Sequence, residues 1–241
     1  MFEEAVGLKR KIRDGEQVFG VSVPMSVTSE QLRAIVDVGP YEFVWIDSQH
    51  TPFNEERVAE FCAMAEAQEI FVVLRIKHTR HAYLIGNYLD LGPCGVEVPQ
   101  TELDATVAEA LRAFYYPPAG RRSYGGPARR GARGKDPGAY ARWWNPYGVL
   151  WLQVESVEAV TRARQLAQPG VDCLSFGPVD LSFSLEAHPH HPFRTVDDCI
   201  QHVARALEGT IVRLCVRNRT PDARARYADL GATVFLEDAR V

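Results

Sequence analysis

Eight short apolar runs punctuate this chain, at 17–23, 41–47, 70–75, 94–98, 149–154, 171–176, 210–216 and 232–236. Most are separated by a segment of helical periodicity, so that a new run begins after roughly 25–30 residues in most of the chain. Runs of this length with apolar residues on both faces suit parallel strands covered by crossover helices. Helices are expected at 3–14, 28–38, 54–67, 80–91, 102–114, 195–208 and 221–230. Eight such units favour a single α/β domain over 1–241, a (β/α)8 TIM barrel, above an open sheet. An open dinucleotide-binding sheet would carry a glycine fingerprint after its first strand, whereas Val23-Pro24-Met25-Ser26 stands there. Five residues follow the eighth run, so the barrel is expected to lack its final helix. The rhythm breaks twice. Residues 116–147 are rich in Gly, Pro and Arg and read as a long loop holding one short helix. A second excursion, 182–192, ends in Ala-His-Pro-His-His-Pro.

Composition narrows the class. The chain is 46% apolar and 24% charged with a net charge of −4, which gives no long-range attraction to nucleic acid or anionic membrane. No apolar run reaches the length of a membrane span, and the charged N-terminus does not read as a signal peptide. The five cysteines are scattered, odd in number and without a Cys-x-x-Cys pair. They read as reduced thiols of a cytoplasmic protein.

In a parallel barrel, chemistry gathers where the strands end. The polar residues at these exits are Asp47, Gln49 and His50 after the second run, Arg75 at the third, Gln153 and Glu155 at the fifth, and Asp180 after the sixth. Glu155 and Asp180 leave consecutive strands and can share a cation; the alternative is that Glu155 opens a helix and Asp180 caps a turn. Two carboxylates without sulfur or imidazole suit a hard divalent ion such as Mg2+ or Mn2+. Arg75 ends a strand as apolar as Phe-Val-Val-Leu and needs an anionic partner, either a substrate carboxylate or a structural Asp. His50 reads as an acid/base group or as a cap or core histidine, and Asp90 as a surface charge.

These residues lie in motifs that resemble the HpcH/HpaI aldolase family, the metal-dependent pyruvate aldolases related to the citrate lyase β-subunit. The pieces are IDSQHTPFN (46–54), Arg75, LDLG and VEVPQTE (within 89–102), YPPAGRRSYGG (116–126), LQVES (152–156) and FGPVDLSFSL (176–185). The resemblance implies a class II aldolase, a carbon–carbon lyase. It would cleave a 4-hydroxy-2-oxo acid to pyruvate, or a related 2-oxo acid, and an aldehyde through a metal-bound enolate. It implies Glu155 and Asp180 as ligands of Mg2+ or Mn2+, with Co2+ a further option, and Arg75 as the group that binds the 2-oxo acid. It also implies His50 as the acid/base residue with Asp90 as its partner, and Gln153 with the backbone of Gly177, Pro178 and Val179 as the substrate cradle. A homo-oligomer is expected.

Three features depart from the family pattern. Gln49 stands where many members have Glu. The 121–142 stretch is long and basic, reading as a solvated flap or a site for a phosphorylated aldehyde. Third, the family's usual helix beyond strand eight and that strand's polar exit are both expected to be missing. Apart from these, the histidines at 188–191 suggest a flexible loop or a second metal locus. Two other functions fit the sequence: a barrel that has lost catalysis and serves as a scaffold, and a CoA-thioester lyase of the citrate-lyase type.

Overall fold

The computed structural model describes residues 4–239. Helix α1 (Gly7–Asp14) precedes β1 (Val18–Ser22), followed by α2 (Ser29–Asp37), β2 (Tyr41–Asp47), α3 (Glu55–Ala67) and β3 (Phe71–Arg75). A 3₁₀ turn, Thr79–Leu84, runs into α4 (Ile85–Leu89), and then come β4 (Gly95–Val98) and α5 (Asp104–Phe114). A long segment leads to α6 (Pro137–Tyr147) and β5 (Val149–Val154), then to α7 (Val157–Thr161), α8 (Ala163–Leu166) and β6 (Cys173–Phe176). Last come α9 (Pro178–Ala187), α10 (Val196–Ala206), β7 (Arg213–Arg219), a 3₁₀ turn at Pro221–Ala223, α11 (Arg224–Asp229) and β8 (Val234–Asp238). All eight strands pair in parallel in sequence order, and β8 closes on β1.

Closure sorts each strand by parity. Outward side chains such as Val72, Leu74, Leu150 and Leu152 pack under the helices. Inward ones such as Phe43, Trp45, Val73, Trp151 and Cys215 fill the interior. Gly20 is part of that packing, because a Cβ there would fall 2.0 Å from the Phe43 ring. Five α-helices start on side-chain caps, among them Asp136 ahead of α6 and Ser156 ahead of α7. Thr28 and Thr195 form capping boxes with Gln31 and Asp198, and Asn54 accepts from the Arg57 amide.

Helix α1 stoppers the N-terminal end of the barrel, with Leu8 and Ile12 joining the interior cluster. Its Lys9 is only 1% exposed. The ammonium donates to Tyr115 Oη at 2.7 Å and to the Gly148 carbonyl at 2.6 Å, and lies 3.3 Å from Asp172. Burial pulls it down to about 8 against the opposing pull of Asp172. Arg13 also binds Asp172, at 2.8 Å.

The structure revises several boundaries. Strands seven and eight run to Arg219 and Asp238 rather than stopping at 216 and 236, because charged residues keep pairing: Arg217 sits opposite Leu236 and Arg219 opposite Glu237. Strand eight therefore has a polar exit after all. Residues 178–187 are helical and take in the first half of the second excursion, so Asp180 lies in the first turn of α9. The first helix begins at Gly7, with residue 3 outside the described residues, and the matter of a helix after strand eight falls past Ala239, also outside them.

The basic segment is not a solvated flap at the strand exits. It follows a helix and precedes a strand, which puts it at the N-terminal end of the barrel, where Arg130 donates to the Ile70 carbonyl just ahead of β3. Three of its cations, Arg122, Arg129 and Lys135, lie on aromatic faces, while Arg121, Arg133 and Arg142 are exposed. Arg122 sits 4.7 Å from the Trp144 ring centre and Arg129 3.9 Å from that of Tyr124.

Replacing Lys9 by Ala leaves Asp172 buried with half its compensation and is expected to cost about 3–5 kcal/mol. Urea unfolding checks this, and a loss under about 1 kcal/mol would show that Arg13 alone satisfies the carboxylate.

Candidate active site

Parity also decides which side chains emerge at the C-terminal end: Ser22, Asp47, Arg75, Gln153, Arg217 and Asp238 each cap an inward row. A cavity of about 510 Å3 opens above them, lined by His50, Arg75, Gln153, Asp180, Arg217 and Asp238, with the Gly177-Pro178-Val179 turn along one edge. Arg75 is 6% exposed. Its Nε and Nη2 donate to the two Asp47 oxygens at 2.8 and 2.6 Å, and Nη1 donates to Gln153 Oε1 at 3.2 Å. The partner demanded by the sequence is therefore a structural Asp. Those bonds use three of the five guanidinium N–H groups and leave the others free for a ligand. Burial opposes the charge on Arg75, but the bonds to Asp47 and the field of Glu97 hold it above its ordinary value. Asp47, also desolvated, is kept below the usual carboxylate range by Arg75.

Glu155 follows the last residue of β5 and is 5% exposed. Its Oε1 accepts from the Gln100 amide at 2.8 Å, while Oε2 is buried without a hydrogen-bond partner. Burial, then the neighbouring Asp180 and Glu97, push its carboxyl up to about 7 against the Gln100 bond. Glu155 and Asp180 line a second cavity of about 540 Å3, and Asp180 also lines the first, so the acids meet at the seam between the two. Gly177 is what allows this approach, since a Cβ there would lie 2.2 Å from Glu155 Oε2 and 2.9 Å from Gln153 Nε2. A buried carboxylate with one oxygen unanswered, beside a second carboxylate, fits a hard divalent cation. Among the described residues no three His, Cys, Asp or Glu side chains converge on one point. A cation here would thus be completed by water or substrate oxygens.

The remaining sequence-derived residues separate by location. His50 is exposed and faces the first cavity. Asp90 is not brought beside it. This residue ends α4 at the opposite end of the barrel, where Arg122 binds it at 2.9 Å. Gln49 donates its amide to Asp47 Oδ1 at 2.9 Å, and its own Oε1 is buried without a partner. The histidines of the second excursion make separate contacts: His188 Nδ1 bonds the Ser184 carbonyl, and His191 accepts from the Phe193 amide.

Four participants escaped the sequence reading. Trp45 carries the Arg75 guanidinium 4.8 Å and that of Arg217 5.1 Å from its ring centre. Its Nε1 donates at 2.6 Å to Glu97, a carboxylate buried in the barrel that also accepts from the Ser175 hydroxyl. Glu97 interrupts the run Gly-Val-Glu-Val, and an inward charge in a four-residue strand was the signal available. Arg217 and Asp238, paired at 2.7 Å, lie beyond the apolar ends of their strands.

Comparison with known proteins bears on the family and the fold. The sequence profile of the HpcH/HpaI aldolase/citrate lyase family matches residues 23–214. A pyruvate aldolase of Rhizobium etli is 30% identical over 93% of this chain and 87% of its own length. An HpcH/HpaI aldolase structure from Desulfitobacterium hafniense superposes with a TM-score of 0.82 at 24% identity, covering 97% of this chain and 91% of that one. The structure of a citrate synthase, SbnG, gives a TM-score of 0.80 at 25% identity over 97% of this chain and 90% of its own. No helix among the described residues is long and apolar enough to cross a membrane.

The buried Glu155 carries a stability consequence. The folded state holds its proton more tightly than the unfolded chain, so ionisation costs stability as pH rises from about 4.5 to about 7. In EDTA-treated protein, Glu155→Gln is expected to stabilise by up to about 3 kcal/mol near pH 8, shrinking to under about 1 kcal/mol near pH 5. Urea titrations at both pH values check it, and an equal effect at the two would contradict the assignment.

Proposed function

The chain belongs to the HpcH/HpaI aldolase/citrate lyase family and is a carbon–carbon lyase of the aldolase type; from that premise we propose that it cleaves a 4-hydroxy-2-oxo acid to pyruvate, or a close 2-oxo acid relative, and an aldehyde. The observation that carries this reading is the unanswered Glu155 oxygen at the seam with Asp180, next to the pocket where Arg75 has N–H groups to spare. Glu155 and Asp180 would hold Mg2+, Mn2+ or Co2+, and such an ion, when bound, supplies Lewis-acid polarisation of a 2-oxo acid.

The chain's own residues supply the rest. The free N–H groups of Arg75 face the carboxylate and the developing enolate oxygen, and Asp47 and Gln153 fix their direction so that little reorganisation accompanies the charge. Gly177 keeps the floor open for the substrate, and Pro178 and Val179 shape its edge. His50 takes the C4 hydroxyl proton, directly or through one water. The C3–C4 bond then breaks, its electron pair passing to C3 as the enolate and the aldehyde departing; protonation at C3 gives the 2-oxo acid. Asp90 acts from outside this pocket within one chain, as a partner of Arg122.

The basic segment that would invite a CoA thioester lies at the other end of the barrel, which leaves that alternative without its motive. The five cysteines are all buried and unpaired, in keeping with a reducing cytoplasm. Val179 and Phe183, 50% and 62% exposed on α9, support burial against another copy in a homo-oligomer.

Release of 2-oxo acid from a panel of 4-hydroxy-2-oxo acids tests the reading. EDTA treatment is expected to abolish turnover and Mn2+ to restore it. Glu155→Ala is expected to remove both turnover and Mn2+ binding by equilibrium dialysis. Arg75→Ala is expected to raise the KM for pyruvate in the condensation direction at least about tenfold. Metal-stimulated turnover surviving in Glu155→Ala would overturn the assignment.

A further inference from the structure

The exit of β7 carries two arginines in the same cavity wall. Arg217 donates from Nε and Nη2 to Asp238 Oδ1 at 3.2 and 2.7 Å, with Ser22 Oγ at 3.5 Å, and rests on the Trp45 ring. That pair is open to solvent, with side chains 31% and 45% exposed, so it holds Arg217 weakly and yields to a better anion. Arg219 lines the same cavity, and its side chain has no hydrogen bond or ion pair among the described residues. Its backbone is left-handed, with φ 61°, at an irregularity in the β7–β8 register. A non-glycine residue in that conformation carries strain. Asn218 maintains it by donating to the Thr220 carbonyl at 2.8 Å and to the buried Glu237 at 3.1 Å. Bulges beside active sites re-aim side chains, and here the outcome is a second guanidinium at the pocket mouth.

The pocket is therefore electrically divided. On its β5–β6 side stands Asp180, with Glu155 across the seam in the adjoining cavity; its floor carries Arg75, paired with Asp47, and its β7 wall carries Arg217 and Arg219. A 4-hydroxy-2-oxo acid whose oxo-acid end lies against the β5–β6 side and Arg75 has its C4 and the chain beyond directed to the remaining wall. Arg217 also borders a neighbouring cavity of about 680 Å3 between the β1 and β2 exits, lined by Val23, Pro24, Met25 and Trp45, which gives a longer aldehyde room for its carbon chain.

We propose that Arg217 and Arg219 form the acceptor-side subsite of this pocket and select an aldehyde that ends in an anionic group, a carboxylate or a phosphate. The inference rests on the aldolase reading above. A planar guanidinium pairs with either anion through parallel N–H bonds, and Asp238 holds Arg217 in place until the substrate anion takes over.

The test uses the Mn2+-loaded full chain with pyruvate and matched acceptors: succinic semialdehyde against butanal for a carboxylate, and glyceraldehyde 3-phosphate against glyceraldehyde for a phosphate. In the wild type, at least one anionic member is expected to have a kcat/KM at least about tenfold above its neutral match. Arg219→Gln, a change at an exposed residue that spares the fold, is expected to reduce that ratio several-fold. Arg217→Leu is expected to reduce it at least about tenfold and Arg217→Lys to recover part of it. The pair showing the effect identifies the anion. A wild-type ratio near one in both pairs, or variants that lower both members of a pair equally, would overturn the inference while leaving the aldolase reading intact. Proton exchange at pyruvate C3 is run in parallel. If exchange persists without condensation on any acceptor, the subsite is refuted; if exchange is absent too, the aldolase reading fails first.

Discussion

A closed barrel of eight parallel strands admits only every second side chain to its interior, and almost every feature of this protein follows from that constraint. The inward rows of β2, β3, β5 and β8 are apolar until their last position. There a polar side chain is lifted out of the packing and into a pocket shared with the other strands. Arg75 shows the cost and the use of such a position. A guanidinium at the top of Phe71 and Val73 is tolerable only because Asp47, at the matching height of the neighbouring strand, takes two of its N–H groups. The pair then stands ready-made beneath a substrate, with its direction fixed and its charge partly unspent.

The same logic extends downward. Trp45 lies one inward step below Asp47 and supports both Arg75 and Arg217, while Glu97 in the barrel interior holds the indole by its N–H. Glu155 has the opposite character. It is desolvated, crowded by other acids and only half satisfied, which is unfavourable for an empty fold and suited to a cation. The arrangement concentrates instability at one carboxylate where binding can recover it.

Much of this was legible in the sequence. The apolar strands β2 and β5 were found to the residue, and the polar ends Asp47, Arg75, Gln153 and Glu155 came with them. The β7 and β8 exits were missed because the apolar signal ends before the pairing does. Arg217, Arg219 and Asp238 remain in the ladder although they look like loop residues. Asp90 and the basic segment lie away from the pocket of their own chain for a topological reason. Both follow a helix rather than a strand, so the chain carries them to the end of the barrel away from the pocket. Glu97 could have been suspected from one charge in a short buried strand, but its bonds to Trp45 and Ser175 join residues 52 and 78 positions apart, and no local pattern reports such pairs.

The central claim is that this pocket makes an enolate from a 2-oxo acid with the help of a divalent ion. The most direct measurement follows the methyl signal of pyruvate by proton NMR in D2O, with EDTA-treated protein before and after addition of Mg2+ (diamagnetic, so the line stays sharp). The account predicts loss of the C3 protons well above the rate without protein, only when the ion is present. Exchange at the same rate with and without the ion would contradict it, as would no exchange with pyruvate or any close 2-oxo acid relative under Mg2+, Mn2+ or Co2+.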